Sequence, residues 1–306
     1  MNIRLTCAAL GALMLAMPGV SSAQPQSSTQ PTSANPVVAP EMPKFTQTSA
    51  NVYRRFPEAD TPKMVEFYDK VLALRPLQPI QLSAQQQMIL FGIGSGQIKL
   101  AAGLKEDRKF HLGEVNEGIG IRLFTLEFPD EAALVGRFKA AGYPAPTFKD
   151  IGGGKRAALV KDPAGFSLEL VIAKNPSPGV NVGINVSDLK RGRAFYREFV
   201  GLKELPPVKD ALLGVTKYPF KQGETTISLW SVGKNLPADT GSAGIQYVIG
   251  NVDAINAMAL EKKVTVETPL GGLPNFGIRF VWLNDPDGVT NYFAQPGPPR
   301  RSAAAQ

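Results

Sequence analysis

Glu169 is the side chain whose setting most favours chemistry. It lies in the apolar run from Phe166 to Ile172, directly after the turn Asp162-Pro163-Ala164-Gly165. A carboxylate in such a strand must be paired, bound to a metal or protonated. The sequence leaves three roles for Glu169 open: a general base with a raised pKa, a metal ligand, or one half of an ion pair with Arg55 or Arg122.

The same turn and strand occur a second time, as Asp285-Pro286-Asp287-Gly288 followed by Val289 to Phe293. Asp-Pro favours entry into a tight turn, and glycine supplies the conformational freedom that the reversal needs. The β-branched and aromatic residues that follow predict a strand. Tyr292 in the second copy stands where the first copy has Glu169, so the sequence indicates a duplication with different chemistry in its two halves.

Nitrogen and sulfur ligands are scarce in this chain, which has one cysteine and one histidine. Cys7 lies in a predicted export signal, so the mature chain is expected to have no disulfide, no zinc-thiolate site and no cysteine nucleophile. His111 lies in a polar segment beside Arg108, Lys109 and Glu114, which indicates an exposed loop. A metal site with two histidines from one chain is excluded by count.

The first 23 residues are typical of a secretory signal peptide, with Arg4, an apolar run and the small residues Ser21-Ser22-Ala23. Pro18 and the shortness of the run argue against a membrane anchor. Residues 24–47 are rich in Gln, Ser, Thr and Pro and predict a disordered linker, and residues 299–306 predict a flexible tail. We therefore expect a periplasmic or secreted protein without a membrane anchor after cleavage.

The net charge of +7 is scattered along the chain. No basic stripe with interleaved aromatic residues is present, so no nucleic-acid partner is predicted.

Between the linker and the tail, one pattern of strands and helices occurs four times. Each unit reads as a strand, an amphipathic helix and three strands. Asp60, Asp130 and Asp188 are predicted to cap the first three helices, and Asp253 lies in the fourth. Phe67-Tyr68 in the first unit matches Phe195-Tyr196 in the third. The pattern predicts an α+β fold of four βαβββ modules.

These residues resemble the vicinal oxygen chelate superfamily, which includes glyoxalase I, bleomycin resistance proteins and extradiol dioxygenases. The resemblance rests on the run Val182 to Leu189, on Ala194-Phe195-Tyr196 and on the two Asp-Pro-x-Gly turns. It implies two tandem domains, residues 48–176 and 177–298, each with a curved mixed sheet around a concave pocket and with helices on the convex face.

The resemblance also implies positions for metal ligands, at the start of a module's first strand and in its last strand. Only Glu169 has the chemistry of a ligand there, and a register slip of one or two residues would bring Arg122 or Gln246 into play. The residues at the six positions are Tyr53, Phe124 and Glu169 in the first domain and Asn181, Tyr247 and Tyr292 in the second.

The favoured interpretation is an exported binding protein that holds a small organic ligand in a concave pocket and has no cofactor and no transition metal. Its predicted pocket residues are Tyr53, Arg55, Arg122, Phe124, Asn181, Tyr247 and Tyr292. The alternative is a lyase, isomerase or dioxygenase of this superfamily that uses Glu169 as a base or as the ligand of a divalent metal. A third interpretation is structural, with the second domain completing or dimerising the first, so a homodimer is left open.

Overall fold

The computed structural model describes residue 42 and residues 44–82 and 87–297. The predicted signal peptide, the tail and most of the predicted linker lie outside these residues. Within the linker, however, residues 44–47 are ordered: Phe45 forms a β-bridge with Ile249, and its ring centroid lies 5.8 Å from that of Tyr247. Disorder was therefore predicted too far along the chain.

The four predicted modules are present, each opening with a strand and a helix. Module 1 contains β1 (Asn51–Phe56), α1 (Thr61–Glu66), β2 (Arg75–Gln81), β3 (Gln87–Ile93) and β4 (Gly96–Ala102). Module 2 contains β5 (Ile119–Phe128), α2 (Glu131–Ala140), β6 (Lys149–Gly152), β7 (Lys155–Lys161) and β8 (Ser167–Ile172).

Module 3 contains β9 (Asn181–Asn185), α3 (Leu189–Ala194), β10 (Lys203–Glu204), β11 (Val208–Asp210), β12 (Val215–Gln222) and β13 (Thr225–Trp230). A short strand, β14 (Ala238–Asp239), precedes module 4, which contains β15 (Ala243–Val248), α4 (Val252–Glu261), β16 (Val266–Leu273), β17 (Ile278–Asn284) and β18 (Thr290–Pro296). Helices α1 and α3 continue as π-helical turns, Phe67–Val71 and Phe195–Phe199.

Side-chain caps begin three of the helices. The carboxylate of Asp130 accepts a hydrogen bond from the backbone N–H of Ala133 at 2.9 Å, and Asp188 accepts one from Arg191 at 3.0 Å. Both caps confirm the sequence prediction. In the fourth helix the cap is Asn251, and Asp253 lies inside the first turn. Asp60 precedes α1 but makes no side-chain cap bond there.

The strands form two large mixed sheets. The first sheet has the order β16-β17-β18-β15-β1-β4-β3-β2 and combines modules 1 and 4. The second sheet has the order β10-β12-β13-β9-β5-β8-β7-β6 and combines modules 2 and 3. In each sheet the first strands of its two modules pair antiparallel at the centre, β1 with β15 and β5 with β9.

This pairing differs from the sequence expectation, in which neighbouring modules on each side of residue 176 share a sheet. The short connection of residues 173–180 brings β9 alongside β5, so modules 2 and 3 pair. The longer connection of residues 103–118 carries the chain from the first sheet to the second. The tandem repeat of the sequence is therefore nested in the sheets, with modules 1 and 4 enclosing modules 2 and 3.

The helices and one face of each sheet form a continuous core. Leu168 and Leu170 of β8 are fully buried there with Leu134 of α2. Ring contacts join the helical segments of modules 1 and 2, with the ring centroid of Phe67 lying 5.7 Å from that of Phe138. Because successive side chains of a strand point to opposite faces, Glu169 faces away from the helices, as the resemblance implies.

An ion pair also crosses between the sheets. Arg54 of β1 donates to Asp162, in the turn before β8, with Nε to Oδ2 at 2.8 Å and both side chains almost fully buried.

In the part of the chain that the structure describes, none of the helices combines the length and the apolar character needed to cross a membrane.

Candidate functional site

The face of the first sheet that points away from the helices is hollow. At its centre Tyr53 of β1 lies beside Lys99 of β4, and Gln246 of β15 lies beside Tyr292 of β18, each pair being direct register partners. These four side chains form the floor of a cavity of about 360 Å³. The volume lies in the range of pockets that bind small molecules.

The walls of this pocket are mainly apolar. They are built by Arg55, Ile80, Leu82, Met88, Ala101, Lys105, Leu273, Phe276, Ile278, Phe280 and Trp282. Of the described residues that line the pocket, three are cationic, Arg55, Lys99 and Lys105, and none is Asp or Glu.

An aromatic cluster covers one side of the pocket. The ring of Trp282 lies 6.3 Å from that of Tyr53, with 27° between the planes, and 5.3 Å from that of Tyr292. Phe280 packs edge-on against Tyr292 at 5.5 Å. The indole N–H of Trp282 is buried and has no hydrogen-bond acceptor. Such a wall is suited to a flat apolar molecule.

The three cations of the pocket differ in their contacts. The guanidinium of Arg55 donates to the backbone oxygen of Gly103 at 2.9 Å, and Lys105 Nζ lies 4.6 Å from the ring centroid of Trp282, a cation–π contact. Among the residues that the structure describes, the ammonium group of Lys99 has no hydrogen-bond acceptor and no ion-pair partner. Burial lowers the pKa of Lys99 to about 8, because a desolvated ammonium loses its charge more easily.

The two tyrosines of the floor are neutral. Burial raises the pKa of Tyr53 and that of Tyr292 to about 12. Gln246 Oε1 accepts a hydrogen bond from Asn51 Nδ2 at 2.8 Å, which fixes its amide.

A buried polar network supports Tyr53 from outside the pocket. Arg108 Nη2 donates to Thr290 Oγ1 at 2.8 Å, and its Nη1 lies 3.3 Å from Glu267 Oε2. Thr290 also donates to Glu267 at 2.7 Å, and its hydroxyl lies near enough to the Tyr53 phenol to offset part of the rise in the pKa of Tyr53. Glu267 is therefore engaged by partners, but together with Asp107 it still lies close enough to Arg55 and Lys105 to favour their charged forms.

The corresponding face of the second sheet is filled by the protein itself. Trp230 of β13 is fully buried against Leu123 and Val115, with Leu213 and Val215 around them. The Trp230 indole donates to Asn116 Oδ1 at 3.0 Å. Val115 and Asn116 belong to the connection of residues 103–118, so this connection closes the face of the second sheet that points away from the helices.

Glu169 lies on this filled face and has two partners. Its Oε2 accepts a hydrogen bond from Thr125 Oγ1 at 2.6 Å and lies 3.7 Å from Lys217 Nζ. Lys217 also contacts Asp210 at 2.5 Å. An ion pair was one of the predicted roles of Glu169, but its partner is Lys217 and not Arg55 or Arg122.

Of the predicted pocket residues, Tyr53, Arg55 and Tyr292 do line the cavity. Asn181 lies in the second sheet as the register partner of Thr125, and its side chain accepts a hydrogen bond from the backbone N–H of Thr226 at 2.8 Å. Glu169 and Asn181 are thus on a different sheet from the cavity.

The predictions for Phe124, Tyr247 and Arg122 as pocket residues are wrong. Phe124 and Tyr247 point to the helix side, where Phe124 packs on Phe166 and Tyr247 stacks on Phe293. A slip of one residue along a strand exchanges the two faces. It makes Gln246, the alternative to Tyr247, a floor residue.

The guanidinium of Arg122 is buried and holds the connection of residues 103–118 in place. It donates to the backbone oxygens of His111 at 2.7 Å and of Glu114 at 3.0 Å, and also to that of Leu112. Burial lowers its pKa. Arg122 is therefore structural.

Lys99 and Trp282 were missed by the sequence reasoning, although the repeat carries a signal for Lys99. Lys99, Glu169 and Tyr292 each lie in the last strand of their module, opposite the central residue of the first strand. Extending the comparison of Glu169 and Tyr292 to module 1 identifies Lys99 as the third member. Trp282 lies on β17, for which the resemblance implies no site.

At the centre of each sheet, a large residue on one strand faces a glycine on the neighbouring strand. In the first sheet Tyr53 lies opposite Gly244, where an added Cβ would stand 2.2 Å from the tyrosine ring. In the second sheet Leu123 lies opposite Gly183, where an added Cβ would meet Leu123 and Trp230 at 2.9 Å. Each glycine makes room for the large residue across the strand pair.

The residues at the floor of the pocket do not fit a divalent metal ion. Such ions take carboxylate, imidazole or thiolate ligands, whereas this floor offers an ammonium group, two phenols of high pKa and one carboxamide. Among the described residues, no group of three His, Cys, Asp or Glu side chains is arranged to hold a metal. Glu169 is already bonded to Thr125 and paired with Lys217.

Comparison with known proteins gives a family match over most of the chain. The sequence profile of the Glyoxalase/Bleomycin resistance protein/Dioxygenase superfamily matches residues 55–170 and 180–293. Lactoylglutathione lyase GLX1 of Arabidopsis thaliana is 26% identical over 247 residues, which cover 75% of this chain and 85% of that protein. A lactoylglutathione lyase of Oryza sativa subsp. japonica is 24% identical over 251 residues, with 75% and 83% covered.

Solved structures show the same fold. Glyoxalase I of Zea mays has a TM-score of 0.61 at 18% identity and covers 81% of this chain and 92% of its own. A candidate dioxygenase of Bacillus subtilis has a TM-score of 0.59 at 13% identity, with 83% and 87% covered.

Proposed function

Because the chain belongs to the glyoxalase/bleomycin resistance protein/dioxygenase superfamily, we propose that it is an exported binding protein. It holds a small organic molecule in the pocket of the first sheet and does so without a transition metal. Export is supported by the first 23 residues of the sequence, which lie outside the described part of the structure.

The observation that carries this proposal is that the floor of the pocket has an ammonium group and a phenol at positions where the family resemblance implies metal ligands. The curved sheet retains an apolar cavity of about 360 Å³. At the last-strand positions of this sheet, where the family resemblance implies metal ligands, the chain has Lys99 and Tyr292. An ammonium group repels a divalent cation, whereas the aromatic wall and the cavity favour an organic ligand.

Analysis of the purified full-length protein tests the proposal. Elemental mass spectrometry is expected to find no tightly held transition metal, and mass spectrometry of the denatured protein is expected to release an organic molecule. One transition metal retained per chain would reject the metal-free site.

The two tryptophans of the chain can report where a released molecule binds, because Trp282 lies in the pocket and Trp230 in the filled face. Adding the molecule back is expected to change the fluorescence of Trp230→Phe, which retains Trp282. The fluorescence of Trp282→Phe, which retains Trp230, serves as the control and is expected to stay constant. The opposite pattern would place the ligand in the second sheet.

A second candidate function is an enzyme of the lyase type, because the matched relatives from Arabidopsis and rice are lactoylglutathione lyases. In this reading Glu169 acts as a base or as a ligand of a divalent metal. Its hydrogen bond with Thr125 and its contact with Lys217 oppose both roles, because the carboxylate oxygen that would accept a proton or bind a metal ion is already in contact with these two partners.

Turnover of lactoylglutathione, with and without added divalent metal ions, decides between the two functions. The binding proposal expects no turnover in either case. Turnover that is lost in a folded Glu169→Gln variant would establish the enzyme instead.

A further inference from the structure

The pocket of the first sheet has an uncompensated positive charge at its floor. Lys99 projects from the middle of β4 between Tyr53 on β1 and Leu90 on β3, its register partners. Neither residue can neutralise an ammonium group. A half-buried ammonium group without a partner is poorly solvated, so an anion arriving at this point gains more than it would at the surface.

The other charged side chains of the lining, Arg55 and Lys105, have the same sign as Lys99. Two acids near them, Glu267 and Asp107, are not among the lining residues, and Glu267 is engaged by Arg108 and Thr290. A cationic ligand would therefore be repelled, and a neutral ligand would leave Lys99 without a counter-charge. The charge pattern selects for an anion.

The apolar walls of the pocket determine which molecular body can lie beside the acid group of the ligand. Trp282, Tyr53 and Tyr292 present ring faces or edges on one side, and Met88 and Ile80 are among the aliphatic side chains that complete the lining. A flat body of about two fused rings fits a cavity of about 360 Å³ and stacks on this wall.

From this geometry we infer that the ligand of the pocket is an aromatic or alicyclic monocarboxylate whose acid group pairs with Lys99. This inference rests on the proposed binding function and adds the chemical class of the ligand. The carboxylate lies at the floor, and the ring body lies against Trp282. Arg55 and Lys105 line the same cavity and favour the entry of the anion.

The test uses the full-length protein and matched pairs of probes that differ only in charge. Each pair consists of a carboxylate and its carboxamide: 2-naphthoate with 2-naphthamide, indole-3-carboxylate with its amide, and cyclohexanecarboxylate with its amide. Affinity is measured by isothermal titration calorimetry at pH 7. The carboxylate of at least one pair is expected to bind about tenfold more tightly or better, because a hydrogen bond to a charged group contributes that much.

Lys99→Met is expected to remove this preference, since methionine keeps the length and the apolar stem but not the charge. The control Lys139→Met changes an exposed lysine of α2 and is expected to keep the preference. Thermal unfolding verifies that both variants fold.

The pH dependence sharpens the assignment. Binding of an anion raises the pKa of Lys99 above its free value of about 8, so affinity for the carboxylate falls as pH rises through 8. The facing groups are Tyr53 and Tyr292, with pKa values of about 12, Arg55, and Lys105, whose pKa is lowered by burial. The acids Glu267 and Asp107 act on Arg55 and Lys105 from outside the lining. Lys105→Met removes the other amine of the pocket. This variant is expected to retain the fall in affinity with rising pH, because Lys99 is unchanged.

The outcomes are distinct. A carboxylate preference that is lost in Lys99→Met supports the inference. Equal binding of acid and amide, or a preference that survives Lys99→Met, overturns the inference and leaves a binding protein for neutral or differently oriented ligands. Failure of every probe to bind contradicts the proposed pocket function as well, and the inference falls with it.

Discussion

The first and second sheets are built on one plan but use their hollow faces differently. In both, the first strands of two modules pair antiparallel at the centre, and the last strands flank them. The first sheet keeps an open pocket with Lys99 on its floor, whereas Trp230 and the connection of residues 103–118 fill the second. Each sheet therefore forms a hollow face, and a few side chains at its centre determine whether that face stays open or is filled.

The largest expected effect concerns which modules depend on each other. A fragment of residues 104–242 contains the whole second sheet, including β14, whereas residues 178–298 contain one module of each sheet. Cooperative thermal unfolding, followed by circular dichroism, is expected for the first fragment and not for the second, because unpaired strands expose backbone groups and apolar faces. A folded fragment of residues 178–298 would contradict the nested arrangement.

The two tryptophans test how much each hollow face contributes to stability. Trp230→Ala is expected to lower the free energy of unfolding by about 3–5 kcal/mol, because it leaves a cavity in a packed cluster. Trp282→Ala is expected to lower it by less than half as much, because its ring already borders a cavity. Urea denaturation measures both values. Equal losses would mean that the pocket of the first sheet is packed like the second.

The two Asp-Pro turns extend the comparison to pH. In the first turn Asp162 pairs with Arg54 of β1. In β9 the position that corresponds to Arg54 is occupied by Ile184, so Asp285 in the second turn cannot form the same ion pair. Asp285 has Tyr196 and backbone N–H groups, and burial raises its pKa to about 7. Since this pKa lies above the ordinary value, the native state takes up a proton, and stability falls as pH rises from about 4 to 7.

Asp285→Asn is therefore expected to lose less stability than the unsubstituted protein as pH rises. Compared with that protein, the variant is expected to be more stable at pH 8 than it is at pH 4. Asp162→Asn is expected to cost about 3–5 kcal/mol at pH 7, because it leaves the buried Arg54 without a counter-charge. Chemical denaturation at several pH values measures both variants. A greater loss in Asp285→Asn than in Asp162→Asn at pH 8 would refute the assignment of charge to the two turns.

The smallest expected effect is that of Glu169→Gln. The amide oxygen can still accept the hydrogen bond of Thr125, and Lys217 keeps its contact with Asp210. The change in the free energy of unfolding is expected to be about 1 kcal/mol, the typical contribution of one hydrogen bond, because Lys217 keeps a counter-charge. Affinity in the pocket of the first sheet is expected to be unchanged. A marked loss of affinity, measured by calorimetry, would show that Glu169 acts on that pocket.

Much of the local structure follows from the sequence. Asp130 and Asp188 cap helices as predicted, the two Asp-Pro turns feed strands, and Tyr53 and Tyr292 face the hollow. These features depend on neighbours in the chain, where capping, turn chemistry and alternation act.

The sequence does not determine the partner of each module. The edges of the modules are chemically alike, and the lengths of the connections at residues 103–118 and 173–180 decide which edges meet. Assigning Phe124 and Tyr247 to the pocket failed for a different reason, since a strand with large apolar residues on both faces gives no clear alternation. Trp230 could not be predicted as a plug because the residues around it come from distant segments.

The nested order of modules has a mechanical consequence. The earliest and the latest strands of the described chain, β1 and β18, lie in the same sheet with only β15 between them. Tension on the two ends, as when a chain is drawn into a pore or a protease, loads this sheet before the other. A molecule held between Lys99 on β4 and Tyr292 on β18 would brace the strands under load, so occupancy of the pocket would set the force at which the folded chain yields.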